Sequence, residues 1–331
     1  MKILVVMADD ITRRRFIRPE HMQMLEKLGD VEVNPLSRQW TGAELAGHIA
    51  GADVCITGWG CPEFTEEVLE NADRLRLIVH TGGSVAALTR EPVYDRSVRV
   101  ISGNDMYARS VAESVIAYAL YALRDLGRFN RQMLQEGWRG NDFYNEGLLD
   151  RRVGLIGFGA VARHTARLLK AFGCEIWIDA DHVTPEEAAL FGAKKATADE
   201  IMAHCKVISL HLAKTPETYH YIDKRRLSLV SDGAVFINTA RGAVVDETAL
   251  AQELKTGRFK AVLDVYEQEP LPMDSPLRAM DNVLLIPHMG GPTADRYPYI
   301  TQALINEIEN ALAGGESPYE ITRDMMRRMT R

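Results

Sequence analysis

"RVGLIGFGAVARHTARLLKAFG", residues 152–173, runs from an apolar strand through a glycine turn into an amphipathic helix. Within it, Gly157-x-Gly159-x-x-Ala162 has the form of a dinucleotide fingerprint with alanine as the third small residue. The first glycine permits the tight turn, and the second lets backbone approach a pyrophosphate. The third position must be small for the helix to pack on its strand. A pyrophosphate would then rest on the helix amino terminus, against unpaired N–H groups. Such a motif alone is weak, but its context strengthens it. Asp179 ends the next apolar run, "CEIWID", 22 residues after Gly157, where a carboxylate can accept both hydroxyls of an adenosine ribose. Ala180 and Asp181 follow it and supply no arginine for a 2′-phosphate, which favours NAD over NADP.

Around this unit the chain repeats the pattern. Downstream strand candidates are "VISLHL", "GAVFIN", "KAVLDVY" and "NVLLIP". Thr184-Pro185 and Thr215-Pro216 each put a capping hydroxyl before a first-turn proline, and Asp246 precedes "ETALAQELKTG". The first hundred residues alternate "KILVV", "VEVNPL", "DVCITG", "LRLIVHTGG" and "VRVISG" with helical stretches. Long helices are expected over 108–134 and 296–315. Alternation of this kind predicts parallel sheets with helical crossovers.

The chain has 331 residues, enough for two domains. Its 46% apolar and 26% charged content belongs to a globular protein. A formal net charge of −7 argues against nucleic acid as a partner. Cys55, Cys61, Cys174 and Cys205 are scattered without a C-x-x-C pair, which fits reduced thiols in the cytoplasm. The amino-terminal "MKILVVMADD" meets two aspartates after its short apolar run and reads as a strand, not a signal peptide. No run is long enough to span a membrane.

In an open parallel sheet, ligands bind beyond the carboxyl ends of the strands. Arg241 follows one candidate strand, Asp264 sits at the end of the next with Glu267 and Glu269 beyond it, and His288 follows the last. A cation, carboxylates and an imidazole at neighbouring strand ends suit a site that grips an anion and moves a proton. Each also has a plain reading. Arg241 could be a surface arginine, and at least one of Glu267 and Glu269 is expected to be a solvated turn carboxylate before Pro270. His288 competes with His80 and His211, which also end apolar runs.

"NTARGAVVDE", "LDVYEQEP" and "PHMGG", behind "GLIGFGAVA", together resemble the D-isomer-specific 2-hydroxyacid dehydrogenase family, and "SVAESV" and "HLAKTPET" fit the same pattern. The resemblance covers about residues 111–291. It implies an α/β fold of two Rossmann-like, doubly wound parallel-sheet domains. The first would be flavodoxin-like and discontinuous, a substrate domain of residues 1–104 plus 295–331, with an NAD-binding domain over 105–294. It carries the catalytic arginine to Arg241, the glutamate to Glu269 and the histidine to His288. Cofactor contacts fall on Gly157, Gly159, Ala160, Val161, Asp179, Thr239, Ala240, Asp264, Gly290 and Gly291.

The implied activity is hydride transfer between NAD and C2 of a small 2-oxo or D-2-hydroxy acid of the glyoxylate, hydroxypyruvate, pyruvate or 3-phosphoglycerate type, with no metal. An imidazole titrates near neutrality and can protonate the carbonyl oxygen, an adjacent carboxylate favours its charged form, and an arginine binds the substrate carboxylate. Homodimers through the 108–134 stretch are also implied.

The chain departs from the family at "HTGGSVAALT", where the glycines are adjacent and the usual aspartate is missing. A backbone cradle for the substrate carboxylate is expected to survive through Gly82, Gly83, Ser84 and Val85. Lys214 stands where the family usually has an apolar residue and reads as a solvated loop lysine. Trp59 either walls the substrate pocket or joins the core. A reading from another class remains, an NAD(H)-sensing regulator resembling a corepressor on the same fold.

Overall fold

In the computed structural model, which describes residues 1–135, 137–141 and 143–330, the chain divides into two compact units. One comprises Met1–Tyr107 with Pro292–Arg331, the other Ala108–Gly291.

The first unit is built on β1 (Lys2–Val5), β2 (Asp30–Val33), β3 (Val54–Thr57), β4 (Leu77–His80) and β5 (Arg99–Ser102). All pair in parallel, in the order 2-1-3-4-5, which is the flavodoxin-like winding. The inner strands are apolar along their length because helices cover both faces. Val54, Cys55, Ile56, Leu77, Ile78 and Val79 are buried with Leu304 and Ile308 in one core.

The second unit contains β6 (Arg152–Ile156), β7 (Glu175–Asp179), β8 (Ala193–Lys195), β9 (Val207–Leu210), β10 (Val235–Asn238), β11 (Lys260–Leu263) and β12 (Val283–Leu285). They are parallel in the order β12-β11-β10-β9-β6-β7-β8, so the strand sequence reverses between β6 and β9. Side chains alternate between faces. Ile208, Leu210, Phe236 and Leu263 enter one core cluster, whereas Val207, Val235, Ile237 and Val262 enter another. Register aligns the carboxyl ends: Ile156 pairs with Leu210, Leu210 with Asn238, and Asn238 with Leu263. The residues that follow, Gly157, His211, Thr239 and Asp264, therefore stand in a row.

Several expectations are corrected. The stretch 108–134 is two helices, Asn104–Arg124 and Leu126–Gln135, because Asp125 has φ +57° and ends the first. The stretch 296–315 likewise divides into Tyr297–Asn306 and Ile308–Leu312. Thr215-Pro216 starts no helix. The Thr218 hydroxyl donates to the Ala213 carbonyl and accepts the Thr215 N–H at 2.8 Å, closing turns instead. By contrast, the Thr184 capping box forms, with Thr184 Oγ1 accepting the Glu187 N–H and Glu187 accepting the Thr184 N–H. Edge strand β8 was not expected, since its sequence, "AKK", has two exposed lysines and no apolar run.

Candidate active site

Gly157 has φ +90°, and a Cβ there would lie 2.8 Å from the His211 carbonyl, so only glycine makes this turn. Its N–H donates to the Asp179 carbonyl at 2.8 Å, joining the turn to the end of β7. Gly159 is different. Among the described residues, a Cβ there meets nothing within 4 Å, and no side chain caps the helix Ala160–Lys170 that it starts. Among the described residues, the N–H groups of Ala160 and Val161 have no acceptor. The protein leaves both space and donors here, which suits the anionic middle of a dinucleotide.

Two further atoms in the row of strand ends, His211 Nε2 and Thr239 Oγ1, are buried without a hydrogen-bond partner among the described residues. Orphaned polar atoms beside an open helix terminus fit a polar ligand. Asp179 is half-buried, and burial raises its carboxyl above the usual range, opposed by the Tyr221 hydroxyl, which donates to Oδ2 at 2.9 Å.

The triad candidates follow from β10, β11 and β12. Asn238 ends β10 and folds the next segment on itself, its Oδ1 accepting the Ala240 N–H at 3.0 Å and its Nδ2 donating to the Arg241 carbonyl at 3.1 Å. Arg241 donates from Nη1 to the Ala240 carbonyl at 2.5 Å. Burial lowers its pKa while Glu269 pulls the other way. The guanidinium remains charged, and the Glu269 carboxylate is close enough to favour that charge. Gly242, next in sequence, is required by packing: a Cβ there would lie 1.8 Å from the Tyr266 carbonyl carbon.

His288 Nδ1 lies 2.7 Å from Glu269 Oε2, and Glu269 Oε1 accepts the Tyr266 N–H at 3.1 Å. Because an ionised carboxylate only accepts, Nδ1 carries the hydrogen and Nε2 is left for chemistry. His288 has φ +52°, a left-handed conformation in which histidine is enriched. The turn directs the next two N–H groups, of Met289 and Gly290, onto the two oxygens of Asp264 at 2.7 and 2.9 Å. Gly290 is needed for that grip, as its Cβ would stand 2.7 Å from Asp264 Oδ2. Gly291 faces open space. Burial raises Asp264 above the usual carboxylate range, with the two N–H bonds opposing. With both oxygens occupied, Asp264 clamps the histidine loop.

The competing histidines fall away. His80 is 1% exposed and burial lowers it to about 4, while His211 falls to about 3. Glu267 and Glu269 are both exposed in the bend before Pro270, as one at least was expected to be, yet each is paired with a histidine. Glu267 pairs with His220 Nε2, and its N–H donates to Glu247 at 3.1 Å. His220, Tyr221, Asn238 and Gly242 were not singled out from sequence. Lys214 is exposed, as expected.

In the first unit, the N–H groups of Gly82, Gly83, Ser84 and Val85 have no acceptor among the described residues. The Ser84 hydroxyl does have one, the Thr330 carbonyl at 2.6 Å, so only its backbone is available. A Cβ on Gly82 would meet His80 Nε2 at 2.5 Å and Trp59 Nε1 at 2.8 Å. Trp59 is 47% exposed and stands edge-on to Phe16 and Tyr297, so it is not a core residue.

A glycine turn at the switch point of a doubly wound sheet, with a His–Glu pair and an arginine at adjacent strand ends, defines a dinucleotide-binding class of α/β protein. Residues 116–290 match the model of the D-isomer specific 2-hydroxyacid dehydrogenase, NAD binding domain, and the chain belongs to that family. Its second unit is thus an NAD-binding domain. The chain is 32% identical over 303 residues to D-3-phosphoglycerate dehydrogenase of Methanocaldococcus jannaschii, covering 90% of this chain and 56% of that protein. It is 30% identical to glyoxylate/hydroxypyruvate reductase B of Yersinia pseudotuberculosis, covering 82% and 84% respectively. A glyoxylate reductase structure from Paecilomyes thermophila superposes with a TM-score of 0.78 at 23% identity, over 98% and 99% of the two chains, a likeness of fold. The chain spans about half the length of the phosphoglycerate dehydrogenases it matches.

Proposed function

We propose that the protein is an NAD-dependent oxidoreductase interconverting a small 2-oxo acid and its D-2-hydroxy acid. The observation that carries this reading is the His288–Glu269 pair at 2.7 Å, beside Arg241 and on the same sheet edge as the dinucleotide turn.

Arg241 binds the substrate carboxylate and polarises the carbonyl. Protonated His288 gives its Nε2 proton to the carbonyl oxygen during reduction, and neutral His288 accepts the hydroxyl proton during oxidation. Glu269 holds the ring by Nδ1 and leaves Nε2 to exchange the proton. A bound nicotinamide would supply the hydride that C2 gains in reduction and accept the hydride that C2 loses in oxidation. Gly157, Gly159, Ala160 and Val161 would hold the pyrophosphate and Asp179 the ribose, while Thr239, Ala240, Gly290 and Gly291 would serve the nicotinamide. Asp264 acts through the loop it clamps. The free N–H groups at Gly82, Gly83, Ser84 and Val85 support a role in binding the substrate carboxylate.

Substrates of the glyoxylate, hydroxypyruvate, pyruvate and 3-phosphoglycerate types are the first to try. A homodimer is supported by the helix Leu126–Gln135, none of whose residues is buried, and by exposed Leu126, Met133, Leu134 and Trp138 nearby. The four free thiols suit the reducing cytoplasm. Among the described residues, no helix is long and apolar enough to cross a membrane.

The test is NADH oxidation by the purified protein against a panel of 2-oxo acids. Turnover on at least one is expected. NADH binding without turnover on any would favour the regulator, a reading that finds no support among the relatives described above.

A further inference from the structure

Tyr221 stands in the loop after β9, in none of the motifs that carry the family likeness. Its hydroxyl donates to Asp179 Oδ2 at 2.9 Å. Burial and the neighbouring carboxylate push the phenol up to about 12, so it stays protonated and is the donor throughout the working pH range.

The ring is held from behind. The Arg226 guanidinium lies 4.1 Å over its centroid, Nη1 of Arg226 donates to the Tyr221 carbonyl at 2.5 Å, and its Nε donates to Asp199 at 3.0 Å. Arg226 is therefore committed to Tyr221 and Asp199. The groups that act on the Asp179 carboxylate are Tyr221, Asp181, Arg226 and Lys195. None of the two cations donates a hydrogen bond to it among the described residues.

We infer that Tyr221 is a positioning residue for cofactor choice: its hydroxyl holds the Asp179 carboxylate ionised and turned toward the adenosine ribose, so that NADH is accepted and the 2′-phosphate of NADPH is repelled. This rests on Asp179 being the ribose ligand in the proposed function. A half-buried carboxylate loses ionisation without a donor, because burial disfavours its charge. Protonated, it no longer repels a phosphate and accepts fewer hydrogen bonds from ribose.

The experiment is a titration of NADH and NADPH binding to the full-length protein between pH 5 and pH 8, with no substrate present. Wild type, Tyr221→Phe and Asp179→Asn are compared. Discrimination, the ratio of the NADPH to the NADH dissociation constant, should be lower at the acidic end of the range than at pH 8, because burial raises the Asp179 carboxyl. In Tyr221→Phe the fall should begin at higher pH, and NADH affinity at pH 7.5 should drop about 3- to 10-fold, the ordinary net worth of one hydrogen bond, since Tyr221 acts on the cofactor only through Asp179. A ratio profile superimposable on wild type, with NADH affinity within about twofold, would overturn the inference and leave Tyr221 as a packing residue. Asp179→Asn separates the underlying reading. Its ratio should be low and free of the Asp179 transition, and if it matches wild type at every pH, the ribose assignment itself fails.

Discussion

His288 shows how one residue can be recognised and still be only partly understood from its neighbours in the chain. Its place after an apolar run was legible, because a proline and two glycines mark a strand end. Its partner was less so, since Glu267 and Glu269 are equivalent by position and only the fold sends one to His220 and the other to His288. Tyr221 gave no signal at all, because its partner lies 42 residues away and a loop tyrosine has no periodicity to betray it. Asp179 was legible through its spacing from Gly157. Replacing it tests that assignment: Asp179→Ala should weaken NAD binding by about 10-fold or more, the worth of hydrogen bonds to a charged group, and narrow the preference over NADP. Equilibrium titration with both cofactors checks this, and unchanged NAD affinity would remove the ribose contact.

Among the elements, strands with apolar runs were legible and the marginal ones were not. Strand β8 is held by pairing with β7, not by its own composition. The Thr215-Pro216 stretch has a helix-start pattern, but no apolar face follows to bury, so the hydroxyls close turns instead. The break at Asp125 also escapes notice, because aspartate is tolerated in the left-handed region without the glycine that usually announces it. Gly242 belongs to this scale, as it lets the short 3-10 turn Gly242–Val244 lie on the backbone of Tyr266. Gly242→Ala should cost about 3 kcal/mol or more, since backbone on both sides must yield. Urea unfolding measures it, and a loss below about 1 kcal/mol would mean that the contact relaxes easily.

At the scale of the whole molecule, both sheets were legible as parallel α/β layers, while strand order was not, because order depends on which crossovers pack and not on local pattern. Each unit also carries a neutral histidine, His80, buried, in one and His211, half-buried with its Nε2 sealed from solvent, in the other. The unfolded chain protonates each near pH 6.5, the folded chain only near about 4 and about 3. Between these limits the unfolded state binds more protons, so both histidines make stability fall as pH falls. Each should contribute about 2 kcal/mol of loss between pH 7.5 and pH 5.0. Denaturation of wild type and His211→Leu at both pH values isolates one of them. The variant should lose about 2 kcal/mol less on acidification, and equal losses would show that His211 is already charged in the fold.

The central claim is that His288 moves the proton that accompanies hydride transfer to a 2-oxo acid. Its most direct test is kcat for NADH-dependent reduction of the best 2-oxo acid by wild type and His288→Ala, with the NADH dissociation constant measured on the same preparations. Turnover should fall about 100- to 10,000-fold, the usual worth of a general acid, while NADH affinity stays within about twofold. A fall of less than about tenfold, or a loss of NADH binding that accounts for it, would contradict the claim and make His288 a structural residue.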